Sequence, residues 1–114
     1  MNLKPTTSFT CFEALDIRTG TILEAKILEG AKKKAYQLLI DFGTLGVKKS
    51  SAQITSLYNQ RELIGKQILA IINFEPKQIG KIKSECLVLG AVDAENNVIL
   101  LTTEKKTKNG LSIS

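Results

Sequence analysis

Ile68-Leu69-Ala70-Ile71-Ile72-Asn73-Phe74-Glu75-Pro76-Lys77-Gln78-Ile79-Gly80-Lys81-Ile82-Lys83-Ser84-Glu85-Cys86-Leu87-Val88-Leu89-Gly90 sets two apolar runs on either side of a basic connector punctuated by proline and glycine. The run from Ile68 to Ile72 is rich in β-branched residues and lacks polar alternation, so it reads as a strand covered on both faces. Pro76 removes a ladder donor and ends that strand, delivering Asn73 and Phe74 to its tip. The connector then places Lys77, Lys81 and Lys83 within seven residues, and Leu87–Leu89 returns to the core. A rigid strand end that offers an amide, an aromatic ring and three cations suits an anionic ligand.

The remaining charge supports this reading. The net charge is +5, and residues 29–50 hold five lysines against Glu29 and Asp41, while 76–86 hold three against Glu85. Residues 1–28, 51–75 and 87–114 each balance to zero, so two connectors supply the whole excess. Positive charge gathered this way attracts polyanions through counterion release, with a steep dependence on salt.

At 114 residues the chain is one domain with a core large enough to fold without metal or disulfides. Its 43% hydrophobic and 24% charged content is that of a globular protein. No apolar run reaches membrane-helix length and residues 1–5 do not resemble a secretory signal, so a cytoplasmic location without membrane insertion is expected. Cys11 and Cys86 lack the close spacing of a metal or redox motif and are expected to be small buried hydrophobes. The chain has no histidine, which removes the usual Ser-His and Cys-His nucleophile pairs and the common zinc sets. With no phosphate-binding glycine loop either, the expectation is a protein that is not an enzyme and needs no cofactor.

Working outward, residues 1–8 read as a flexible arm. Phe9–Leu15 reads as a short helix, with Thr10 as its cap and Glu13 completing a capping box. Ile17 to Ile27 has period two, with Ile17, Thr19, Thr21, Leu23, Ala25 and Ile27 on one face and Gly20 as a bulge or barrel corner. Tyr36, Leu38, Ile40 and Phe42 alternate along a second strand. Thr44–Gly46 is a turn and Val47–Lys49 a short third strand. Ser50–Tyr58 shows helical spacing at Ile54, Leu57 and Tyr58 behind a serine cap. Asn97–Thr103 follows the Asn96-Asn97 turn as a strand, and Leu111–Ser114 is a last short one. The sum is an all-β fold: an OB-fold, a five-stranded Greek-key barrel with short helices, one between strands 3 and 4 and one at the N-terminus.

These residues resemble a known family. Leu15-Asp16-Ile17-Arg18-Thr19-Gly20-Thr21-Ile22, Ile40-Asp41-Phe42-Gly43, Val47 to Thr55, Leu63-Ile64-Gly65-Lys66, and Asn73-Phe74 through Ser84–Gly90 are similar to the CsaA proteins. These are relatives of the tRNA-binding domain appended to some methionyl- and tyrosyl-tRNA synthetases. The resemblance implies an OB-fold tRNA-binding domain over residues 9–114, affinity for tRNA or other structured RNA, a homodimer, and a role as an export-related chaperone of unfolded polypeptides.

By that analogy the groove holds Lys32, Lys33, Lys34, Lys48, Lys49, Ser50, Ser51, Gln53, Asn73, Phe74, Lys77, Lys81, Lys83 and Ser84. Lysines would contact phosphate without reading sequence. Ser50, Ser51 and Gln53 would bond base edges or sugar hydroxyls, and Phe74 would stack on a base. A competing use of the same connector is an apolar groove for unfolded chains, built from Phe74, Ile79 and Ile82.

Overall fold

One long strand serves two partners and so bends the sheet into a barrel. The structure is a computed structural model describing residues 2–114. In chain order the elements are α1 (Phe9–Glu13), β1 (Ile17–Ile27), β2 (Tyr36–Asp41), a 3-10 turn (Gly43–Leu45), β3 (Val47–Ala52), α2 (Gln60–Leu63), β4 (Gln67–Ile71), β5 (Lys77–Ile79), β6 (Ile82–Ser84), β7 (Leu87–Val88), β8 (Gly90–Val92) and β9 (Val98–Leu100). The first half of β1 pairs antiparallel with β4, and the second half with β2. The full order of the main sheet is β3-β2-β1-β4-β7, with β5-β6 and β8-β9 as separate hairpins. This is the expected OB-like barrel, nearly closed.

The seam that closes it combines one backbone hydrogen bond with two side-chain acceptors. Lys49 N donates to Glu85 Oε1 at 2.9 Å, and Glu85 N donates to Lys49 O at 2.8 Å. Ser51 N donates to Ser84 Oγ at 3.0 Å. An exposed strand edge leaves N–H groups unpaired, and here Ser84 and Glu85 supply acceptors to β3. That explains why two polar residues interrupt the apolar run around Cys86.

Burial along β1 does not follow the single face expected: Ile17, Thr19 and Ala25 of that face are buried, and so are Gly20 and Ile22 of the other. Gly20 and Ile22 lie opposite Ile68 and Ile40, both fully buried, and residues directly opposite on antiparallel strands share a face. The core side is therefore Gly20, Ile22 and, past a register shift between Ile22 and Glu24, Ala25. Leu23 and Ile27 are exposed. The bulge sits at that shift and not at Gly20. A Cβ on Gly20 would come within 2.7 Å of the Phe42 ring and Ile40, so the position must stay empty for the Phe42 ring to fit.

Both helices are corrected as well. Ser50 to Ala52 continue β3, and the helix between strands 3 and 4 is α2, one turn at Gln60–Leu63. Its capping box is real: Asn59 Oδ1 accepts from Glu62 N and Glu62 Oε1 accepts from Asn59 N, each at 2.8 Å. The box expected at Thr10 is absent, since Ser8 is the N-cap of α1 and no side chain caps it. Residues 2–8 carry no helix or strand.

The core gathers Ile22, Leu38, Ile40, Phe42, Leu63, Ile68 and Ala70. The alternation read in β2 and the double-sided burial of the Ile68 strand both hold. The last segment lies along the other edge of β1, where Gly110 N donates to Thr19 O at 2.7 Å and Ile113 N to Ile17 O at 3.0 Å. Among the described residues no helix is long and apolar enough to cross a membrane.

Candidate nucleic-acid interface

The two lysine-bearing loops meet. Residues 28–35 and the β5–β6 hairpin pack through Leu28, Ala35 and Ile82, all buried, with Ala31 and Ile79 against them. Gly80, at φ +56, sits so close that a Cβ there would lie 2.6 Å from Glu29 O and 3.0 Å from Ala31 N. Lys81 Nζ reaches Glu29 Oε2 at 3.3 Å, but both ends are largely exposed. Such a pair is worth about 0–1 kcal/mol, so apolar burial and the glycine contact hold the loops together. Between them lies a cleft of about 540 Å³ whose rim includes Lys32, Lys33, Lys77, Ser51, Gln53 and Gln78.

The hairpin's faces sort its lysines. Lys77 pairs with Ser84 and Ile79 with Ile82, so these share the inner face; Gln78 and Lys83 pair on the outer one. Lys83 is thus an outward cation, and Lys81 caps the turn beside Glu29. Lys34, Lys48 and Lys49 are not among the residues lining the cleft. Lys48 and Lys49 stand on β3, whose next residue, Ser50, is fully buried.

Three residues expected to touch RNA have their polar groups committed elsewhere. Ser50 Oγ lies in the barrel and donates to Cys86 O and Ser51 O, so it is a core hydroxyl and not a ligand. Ser84 Oγ accepts from Ser51 N and donates to Cys86 O at 3.2 Å. Asn73 is exposed, and its amide ties the end of α1 to the barrel: its Oδ1 accepts from Asp16 N and its Nδ2 donates to Ala14 O, both at 2.9 Å. Ser51 and Gln53 do reach the cleft.

Phe74 is 47% exposed, which rules out the core role an apolar strand end could have had. It walls a second hollow of about 330 Å³ with Ile79, Cys86, Leu87 and Glu85, and this hollow shares Ser51, Lys77 and Ile79 with the basic cleft. Ile79 was read as part of an apolar groove with Phe74 and Ile82, whereas no specific ligand contact was assigned to Glu85 or Leu87. The pairing of Glu85 with β3 across the seam, which brings it there, leaves no local trace in the sequence. Burial pushes the Cys86 thiol up to about 11. Cys11 is exposed, contrary to expectation, and the Thr7 hydroxyl 3.2 Å from its sulfur, with help from Ser8, lowers its pKa.

Comparison with known proteins adds a family to this geometry. The family model described as "Putative tRNA binding domain" matches residues 17–112. The crystal structure of the chaperone CsaA from Bacillus anthracis str. Ames is 46% identical, with TM-score 0.91 over 96% of this chain and 100% of that one. The CsaA chaperone protein of Picrophilus torridus gives 44% and 0.90 over the same shares. Methionine--tRNA ligase of Methanothrix thermoacetophila (strain DSM 6194 / JCM 14653 / NBRC 101360 / PT) is 34% identical over 110 residues, 96% of this chain. The chain spans 16% of that ligase's length.

Proposed function

The chain belongs to the tRNA-binding domain family, and within it to the CsaA proteins; from that premise we propose that it is a homodimeric, non-catalytic binder of tRNA or similarly structured RNA in the cytoplasm. The observation that carries this reading is the docking of the two lysine loops around one cleft, since they hold the chain's entire charge excess. Lys32, Lys33 and Lys77 contact phosphates inside the cleft, with Lys34, Lys48, Lys49, Lys81 and Lys83 extending the field around it. Ser51 and Gln53 bond sugar hydroxyls or base edges, and Phe74 stacks on an unpaired base. Aminoacylation belongs to the ligases, of which this chain matches a small part.

The homodimer gives α1 a partner. That helix buries none of its residues, Phe9 is 71% exposed, and its ring lies 6.0 Å from that of Phe12. These rings border a hollow completed by Ser112–Ser114. A second copy covering this face would carry two clefts on one particle and raise avidity where their spacing matches the RNA.

A second reading has one observation in its favour. The hollow walled by Phe74, Ile79 and Leu87 is apolar enough to hold a side chain of an unfolded polypeptide, in keeping with the chaperone activity named for the CsaA relatives. Titration of the protein with bulk tRNA over a series of salt concentrations separates the two. RNA binding predicts a log–log salt slope of about −0.7 to −0.9 per phosphate contact. Binding that is absent at low salt rejects the RNA reading. Suppression of client aggregation that survives high salt supports the chaperone.

A further inference from the structure

We propose that the hollow beside the basic cleft is a base-reading pocket selective for an unpaired guanine. The inference rests on the RNA-binding reading and adds to it a ligand for one site. Two features of the hollow point to a nucleobase. It opens into the lysine cleft through Ser51, Lys77 and Ile79, so a strand whose phosphates lie along the lysines passes its mouth. Its apolar lining is the half-exposed Phe74 ring together with Ile79, Cys86 and Leu87. At about 330 Å³ it lies at the small end of ligand pockets, suited to one nucleoside and not to a long side-chain array.

Glu85 supplies the selectivity. Its backbone N–H is tied to Lys49 O and its Oε1 accepts from Lys49 N, so the side chain is fixed by the barrel seam before any ligand arrives. Its Oε2 has no hydrogen-bond partner among the described residues. A carboxylate only accepts, with about four lone-pair sites over two oxygens. Guanine is the base that offers two adjacent donors, N1–H and N2–H₂, on its Watson–Crick edge. Adenine and cytosine set a ring-nitrogen acceptor beside their amino group, and uracil flanks its single N–H with carbonyls. Each of these would face the carboxylate with an unfavourable acceptor. A second carboxylate, Glu75, also borders the hollow; both discourage a phosphate from entering and leave that group to the lysines.

Fluorescence anisotropy on labelled short oligouridines carrying a single guanosine, inosine, adenosine or cytidine tests the proposal. Guanosine is expected to bind about tenfold more tightly than adenosine, in line with other bidentate base contacts. Inosine, which lacks the 2-amino group, should fall between. Glu85→Gln keeps the acceptor for Lys49 N but presents an amide, so the guanosine preference should vanish or turn toward adenosine. Equal affinity for all four oligomers overturns the pocket while leaving salt-dependent tRNA binding intact. A guanosine preference that persists in Glu85→Gln also overturns it. Failure to bind tRNA or any oligomer at low salt sinks the underlying RNA reading instead. If an apolar peptide shifts the Phe74 ring resonances and the guanosine oligomer does not, the pocket belongs to polypeptide and the proposal fails.

Discussion

Gly80→Ala separates the two lysine loops without touching a charge. The residue sits at φ +56, a conformation that costs an L side chain about 1–2 kcal/mol. Its new methyl would also stand 2.6 Å from Glu29 O, a backbone atom that cannot swing aside. The hairpin must therefore back away from residues 28–35. Doing so loosens the buried Leu28, Ala35 and Ile82, for roughly a further 1–2 kcal/mol at about 25 cal/mol per Å² of apolar surface. Gly65→Ala is the matched control. Gly65 has φ +90 and nothing within 4 Å of the added Cβ, so it carries backbone strain alone. A domain with a typical stability of about 5–15 kcal/mol survives either change.

The two variants should part in RNA binding. Each phosphate contact contributes about 0.7–0.9 to the salt slope, equivalent to a factor of roughly 5–8 at about 0.1 M salt. If the hairpin takes Lys77, Lys81 and Lys83 out of register, the slope falls by about 2 and affinity by on the order of 100-fold. Gly65→Ala should keep both at wild-type values. Urea denaturation reports the stability cost, and filter binding with tRNA at several salt concentrations reports the rest. If Gly80→Ala binds tRNA with wild-type affinity and slope, the docked loops are not the interface and the reasoning is refuted.

Phe12→Asp places a carboxylate on the uncovered face of α1, and the protein is expected to elute as a monomer in size-exclusion chromatography with light scattering; a persistent dimer would put the interface elsewhere. The Cys86 thiol, raised from 9.0 to about 11 by burial, stays protonated in the fold where the unfolded chain ionises. Its stabilising share is complete below pH 9 and drains away as pH rises to about 11, amounting to roughly 2–3 kcal/mol. Denaturation of the wild type and Cys86→Ala across that window should show the gap between them narrowing by that amount, and a constant gap would contradict the assignment. At neutral pH a thiol-reactive disulfide reagent should label Cys11 rapidly and Cys86 only on unfolding, as measured by mass spectrometry.

Where the chain's periodicity was faithful, it was legible. Tyr36, Leu38, Ile40 and Phe42 alternate into the core as their spacing implies, and the run from Ile68 needed only its lack of polar residues to be read as covered. The face of β1 was obscured because its central core position is Gly20, which has no side chain to reveal its direction, and the bulge then shifts the parity of the residues beyond it. The spacing of Ile54, Leu57 and Tyr58 imitates a helix, yet Ser50 and Ser51 are drawn into β3 by partners far along the chain, Cys86 and Ser84. Of the capping-box patterns at Thr10 to Glu13 and at Asn59 to Glu62, only the second is realised. The long-range pairing that selects one over the other is not written in either stretch.

The placement of the lysines was legible for a different reason: charge excess needs no register. What composition hid was the means of holding cations together. Like charges across a cleft repel, and the one ion pair joining these loops among the described residues is exposed and weak. The loops stay docked because Leu28, Ala35 and Ile82 leave water at their base and because Gly30 and Gly80 let two backbones touch. The apolar residues of the connector thus hold the frame that lets its cations serve a ligand. On the proposed reading, an RNA phosphate entering the cleft would relieve the repulsion that the apolar base must otherwise offset. Docking and RNA binding would then be linked: by as much as docking raises RNA affinity, bound RNA would in turn stabilise the docked loops.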